Sequence, residues 1–197
     1  MNFKLFGTQI YISFLFAAVI TLMLCFDKTG ILLPTLLAVF LHECGHLFMM
    51  WILRCAPKQI KLIPASVQIT SAFSGGYKND ILIALSGPIV NLLLFSVFYY
   101  NFTQYGNEFT GYFSAINLML CIFNLLPIKG LDGGTVLLSL LCKFTDINKA
   151  TVLLKCFTLF VAIVILIIAV MITIKDKPNI TLFIMGVYLV VMSVMKM

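Results

Sequence analysis

His42-Glu43-Cys44-Gly45-His46 sets two imidazoles and a carboxylate in the middle of an apolar run, Ile31–Leu53. On a helix, positions i and i+4 lie one above the other on the same face, so both histidines can reach one metal ion. The glutamate between them stands beside that ion as a general base for an attacking water. Zinc suits two imidazoles, and H-E-x-x-H is the spacing that peptide-hydrolysing zinc sites use. A charged side chain at this depth in an apolar segment is costly and is retained for function. Cys44 is two residues from each histidine and points away from their shared face, so it is read as packing rather than as a ligand.

A catalytic zinc normally takes three protein ligands and leaves a fourth position open. The chain has only two histidines, so the third ligand must be a carboxylate or a thiolate. Besides Glu43, the acidic candidates are Asp27, Asp80, Glu108, Asp132, Asp146 and Asp176. The six cysteines lack C-x-x-C spacing and fall mostly in or beside apolar runs, where a free thiol packs as a small hydrophobe. Asp132 stands apart from the other acids because Gly130, Gly133 and Gly134 surround it, directly after an apolar segment closed by Pro127.

Membrane-spanning helices must position these groups. The 197 residues are 62% hydrophobic and 10% charged, with a mean hydropathy of +1.12, whereas soluble domains carry roughly 25% charge. Apolar segments near spanning length are Ile10–Phe26, Ile31–Leu53, Ile81–Tyr100, Tyr112–Pro127, Leu153–Ile174 and Ile180–Val194. The expected fold is therefore all-α and polytopic, with about six transmembrane helices. Little chain remains for a soluble catalytic domain, and residues 1–197 are read as one domain. Its catalytic core is about 31–135 and its C-terminal helices about 153–194. The first span is expected to be retained, since no small-residue cleavage site follows it.

With six spans, ten of the thirteen basic residues fall on one side of the membrane, which predicts that both termini are cytoplasmic. The net charge of +6 is spread over separate loops, so no nucleic-acid partner is expected. Asp27, Glu108 and Asp176 then lie on the far side, and Asp132 lies toward the cytoplasm. His46 is one helical turn, about 6 Å, nearer the cytoplasm than His42. One segment departs from helical patterning. Ile60, Leu62, Val67 and Ile69 alternate with polar residues around Pro64, which predicts a cytoplasmic-side β-hairpin or edge strand around 59–71.

Three motifs occur in one order: the H-E-x-x-H, then Ser86-Gly87-Pro88-Ile89-Val90-Asn91, then Asn124-x-x-Pro127-x-x-x-Leu131-Asp132-Gly133-Gly134. This arrangement, over residues 40–135, resembles the site-2 protease family of intramembrane zinc metalloproteases. Its six-span layout resembles the sporulation-type branch, here expected without the CBS domain that many members carry. The resemblance implies one Zn²⁺ per chain held by His42, His46 and Asp132, with Glu43 as the catalytic base. It also implies a transmembrane protein substrate, such as a pro-sigma factor or similar regulator, and membrane-bound inhibitors or regulators as further partners. The expected location is a bacterial cell membrane.

Asn124, Asn91, Gly87 and Pro127 are the further site candidates, as substrate contacts or as groups that orient the ligands. Asn91 is equally readable as polar glue between helices, with Gly87 allowing close packing. A transmembrane substrate must unwind before cleavage, and an edge strand within 59–71 could capture it by β-augmentation. Two other functions compete. A catalytically silent relative would hold a partner's helix without cutting it. An ion-path protein would use the same intramembrane charges, but would call for repeat symmetry, which the sequence does not show.

Overall fold

The structure, a computed structural model, describes residues 2–5, 8–55, 57–63, 66–71 and 76–175. In chain order the elements are β1 (Asn2–Leu5), β2 (Thr8–Ile12), α1 (Phe14–Phe26), α2 (Leu32–Ile52), β3 (Pro57–Ile63) and β4 (Ser66–Ser71). They are followed by α3 (Tyr77–Tyr105), α4 (Glu108–Asn124), α5 (Asp132–Phe144) and α6 (Ile147–Lys175). The chain divides into two compact units, Met1–Phe123 and Asn124–Met197.

The helical class is as expected. Among the described residues, three helices are long and apolar enough to cross a membrane: Leu32–Ile52, Tyr77–Tyr105 and Ile147–Ile172. The expectation of six spans differs at several points. Ile180–Val194 lies outside the described residues. The segment Ile10–Phe26 is split, because Thr8–Ile12 is a strand and the helix after it has only 13 residues. The β-branched and aromatic residues Thr8, Ile10, Tyr11 and Ile12 favour an extended chain. At 1.5 Å per residue, α1 is about 20 Å long, short of a hydrocarbon core of about 30 Å. The fourth segment is the 17-residue α4, which begins at Glu108 and ends at Asn124, before Pro127.

In the first unit, the hairpin expected around 59–71 is present as β3 and β4, antiparallel with Ile60 opposite Ile69 and Leu62 opposite Val67. It belongs to a larger sheet than the alternation alone suggested. The order is β1-β2-β3-β4, with β2 parallel to β3 and β1 antiparallel to β2. The last three residues of β2, Ile10–Ile12, fall in the apolar segment expected to start the first span, and β1 lies ahead of it. β4 is an edge of this sheet among the described residues.

The turn between α1 and α2 is tied by Asp27. Its Oδ1 accepts from the Thr29 hydroxyl at 2.7 Å and the Thr29 amide at 2.9 Å, and its Oδ2 accepts from the Leu32 amide at 2.9 Å. These donors, the Thr29 hydroxyl foremost, hold the Asp27 carboxyl below its ordinary pKa. The carboxylate thus satisfies an amide at the start of α2, which a helix cannot satisfy internally.

In the second unit, α5 packs with α6. Ile128 and Ala162 are buried there, with Leu126, Leu131, Val161 and Ile165 packed against them. The amide of Lys129 donates to Thr158 Oγ1 at 3.0 Å, which fastens the segment before α5 onto α6.

Candidate metal centre

α2 carries its histidines on the face that packs on α3, and both are buried. The two helices run in opposite directions along this contact. His42 stands opposite Asn91, and His46 stands opposite Ile83, with Gly87 between. Ile83, Gly87 and Asn91 are spaced by four, so one face of α3 supplies all three contacts.

Each imidazole is held through Nδ1. His46 Nδ1 donates to the backbone carbonyl of Ile83 at 2.7 Å, with Ser86 Oγ at 3.5 Å. His42 Nδ1 donates to Asn91 Oδ1, also at 2.7 Å. A neutral imidazole with its proton on Nδ1 carries its lone pair on Nε2. The two Nε2 atoms converge to 3.1 Å. Two ligands at about 2.0–2.1 Å from a tetrahedral zinc stand roughly 3.3 Å apart, so this pair fits such an ion.

Gly87 makes the convergence possible. A Cβ there would overlap the His46 ring and sit 2.7 Å from His42 Nε2. Gly45, on the opposing helix, faces the same contact, where a Cβ would meet Ser86 O and Val90 Cγ2 at 2.9 Å. This pair of small residues lets the two backbones approach. The same turn of α3 contains Pro88, which cannot donate the helical bond to the carbonyl of Ala84.

Asn91 joins three helices. It accepts from His42 on α2, and its Nδ2 donates to Asn117 Oδ1 on α4 at 3.2 Å. Both asparagines are fully buried. Asn91 thus bonds a histidine of α2 and an amide of α4 at once. Asn117 was not singled out from the sequence. The available signal was an amide in the middle of an apolar segment, where polar side chains are rare and usually bonded.

Glu43 and Cys44 are both half-buried on α2. Asp132, Asn124 and Pro127 belong to the second unit. Asn124 is the last residue of α4, and Asp132 opens α5. A carboxylate in the first turn of a helix is favoured by the amide dipoles there. The glycines around it have different tasks. Gly130 takes φ +99°, which side chains other than glycine rarely adopt, and it reverses the chain before Leu131. Gly133 and Gly134 lie in the first turn of α5. A Cβ on Gly133 would overlap the carbonyl of Leu125, and one on Gly134 that of Ile128. The glycines in the Asp-Gly-Gly sequence thus allow the preceding segment to lie directly against the start of α5.

No protein-family model matches the chain. It is 29% identical to Stage IV sporulation protein FB of Bacillus subtilis over 145 residues, which is 66% of this chain and 50% of that protein. It is 28% identical to a zinc metalloprotease of Methanocaldococcus jannaschii over 163 residues, 76% of this chain and 47% of that protein. The chain spans about half the length of these curated relatives. Its fold is that of a site-2 protease structure from Methanocaldococcus jannaschii, with a TM-score of 0.72 at 22% identity, covering 98% of this chain and 93% of that one.

Proposed function

We propose that this chain, whose relatives support its assignment to the site-2 protease family, is an intramembrane zinc metalloendopeptidase that cleaves a membrane-tethered protein. The observation that carries the reading is the 3.1 Å approach of His42 Nε2 to His46 Nε2, with both Nδ1 atoms bonded to protein oxygens. Two lone pairs that face each other call for a cation between them. His42, His46 and Asp132 would hold one Zn²⁺, with Asp132 supplying the anionic ligand that the two-histidine composition requires. When bound, the zinc supplies Lewis acidity, which acidifies water and polarises a peptide carbonyl.

The remaining steps belong to the protein's own side chains. Glu43 takes a proton from the attacking water as it adds to the scissile carbonyl. It then returns the proton to the leaving amine as the C–N bond breaks. Asn91 holds the His42 ring in place, and Asn124 is assigned to the backbone of the bound substrate. Gly87 keeps the space in front of the imidazoles clear. Pro127 stops α4 from extending toward Asp132, which lies five residues further along the chain.

A substrate helix hides its peptide bonds in its own hydrogen bonds, so it must be drawn into an extended form. Among the described residues β4 is a sheet edge, and its outward backbone groups can pair with such a segment. The substrate class is assigned, from the motif resemblance to the sporulation-type branch, to a regulator of the pro-sigma type. Counted over six spans, the charge asymmetry of the loops supports cytoplasmic termini; residues 1–197 are assigned to one protease domain in a bacterial membrane.

The test is cleavage of a panel of membrane-tethered substrates by purified protein in detergent, comparing wild type with Glu43→Gln and quantifying zinc in both. Cleavage by the wild type alone, with about one zinc retained by each protein, is expected. Zinc bound without cleavage by either would favour a silent helix-binding relative. A protein that takes up no zinc would overturn the reading.

A further inference from the structure

We propose that Asn117 is a positioning residue for the metal centre, acting on His42 through Asn91; this rests on the zinc reading above. The argument runs along a directed chain of hydrogen bonds that starts at a group with only one possible role. The backbone carbonyl of Phe113 can only accept, and Asn117 Nδ2 donates to it at 2.8 Å. That bond orients the Asn117 amide, so its Oδ1 faces Asn91 and must accept. Asn91 Nδ2 donates to it at 3.2 Å, which turns Asn91 Oδ1 toward α2. Asn91 Oδ1 accepts in turn from His42 Nδ1 at 2.7 Å.

An amide can be flipped at little steric cost, because its oxygen and nitrogen have similar size and opposite bonding roles. A flipped Asn91 would present an NH₂ to His42 Nδ1. It would then favour the other tautomer, with the proton on Nε2, where the metal would have to bind. Asn91 alone cannot prevent this. Asn117 can, because a reversed Asn91 would set oxygen against oxygen at their contact. The polarity of the whole chain is fixed by a backbone group on α4, and its far end is the lone pair on His42 Nε2.

The surroundings support a dedicated arrangement. Asn91 and Asn117 are both fully buried, and Phe113, one turn before Asn117 on α4, is also buried, its ring edge-on to Phe98 of α3. His46 has a separate and simpler device, since its Nδ1 meets the carbonyl of Ile83 directly and no amide can invert. Only one of the two imidazoles therefore depends on a relay, and the dependence should appear in variants of α4 that touch neither histidine.

The experiment measures zinc affinity of the full chain in detergent by competition with a chromogenic chelator, together with the visible absorption of the cobalt-substituted protein. Asn117→Leu keeps the volume and removes the acceptor; it is expected to weaken zinc binding on the order of 10-fold or more, the range seen when an orienting partner of a ligand is lost, and to alter the cobalt bands. Asn117→Asp keeps an oxygen for Asn91 Nδ2 in either protonation state and is expected to restore both readouts toward wild type. In the Asn91→Leu background, Asn117→Leu is expected to cause no further loss, because its effect passes through Asn91. Asn117→Ala replaces the leucine variant if that protein does not fold. Wild-type affinity and spectrum in the folded variant lacking the acceptor would overturn the inference. So would an Asn117→Asp protein as impaired as Asn117→Leu, or an additive loss in the double variant. A wild-type protein that binds no zinc would instead overturn the metal-centre reading, and this inference with it.

Discussion

A Cβ added to Gly87 would stand 2.7 Å from His42 Nε2, so the hydrogen of this glycine faces the nitrogen that should bind metal. Gly87→Ala is therefore expected to push the imidazoles apart and reduce zinc affinity at least 10-fold, a loss of about 1.4 kcal/mol or more, within the usual cost of overpacking. Gly45→Ala is the control. Its Cβ would press on Ser86 O and Val90 Cγ2 rather than on a ligand, so it should lower thermal stability more than zinc affinity. Chelator competition and a thermal melt on the two proteins separate the effects.

Glu43 and the three proposed ligands should divide cleanly between chemistry and binding. Glu43→Gln is expected to keep its zinc and to lose about 10²–10⁴ in cleavage rate, the usual worth of a general base. His42→Ala, His46→Ala and Asp132→Ala are expected to lose metal, and cleavage with it. An Asp132→Ala protein that retained zinc at wild-type affinity would remove Asp132 from the ligand set. Metal content by mass spectrometry beside single-turnover cleavage decides each case.

The histidine pair was legible in the sequence because helical spacing alone puts i and i+4 on one face. The same spacing, Ile83-Gly87-Asn91, is present on α3, yet only Asn91 drew attention as a polar group and Gly87 as a small one. Ile83 contributes through its backbone carbonyl, which its side chain does not announce. Asn117 was missed because a lone amide in an apolar run has many uses, and its partner is 26 positions away. β1 and β2 were missed for a different reason. β2 runs into the apolar segment that follows it, β1 is only four residues long, and the pairing of β2 with β3 crosses some 50 residues of chain, a distance at which local pattern says nothing. Gly133 and Gly134 mark Asp132 out in the sequence, but what requires them there is the close passage of the Leu125 and Ile128 carbonyls, which pattern alone does not reveal.

Asp27 supplies a pH dependence whose sign can be worked out. Its carboxyl is held below its ordinary value, first by the Thr29 hydroxyl and then by the Leu32 amide. A carboxyl with a depressed folded pKa stabilises the fold above its unfolded value, about 3.9. That contribution is lost as pH falls further, through the folded value. The thermal transition should therefore drop more steeply with acid below about pH 4 in wild type than in Asp27→Asn. Equal slopes for the two proteins would show that the Asp27 turn does not contribute. Solvent screening keeps the effect small, so the comparison is best made at low ionic strength.

The edge of β4 gives a prediction with a period. Successive backbone amides in a strand point alternately toward and away from the neighbouring strand. On β4, one set faces β3 and the other faces the open edge. Proline removes an N–H, so single prolines at Val67, Gln68, Ile69 and Thr70 should separate into two classes. At the positions facing β3 they break the hairpin and lower stability together with cleavage. At the positions facing outward they leave the thermal transition near wild type, yet reduce cleavage of a transmembrane substrate by about 10-fold, the equivalent of one or two lost hydrogen bonds. A short, already extended peptide substrate should suffer less, since it does not need to be held open. Full cleavage of the transmembrane substrate by all four proline variants would dismiss β4 as the capturing strand, while leaving the zinc chemistry untouched.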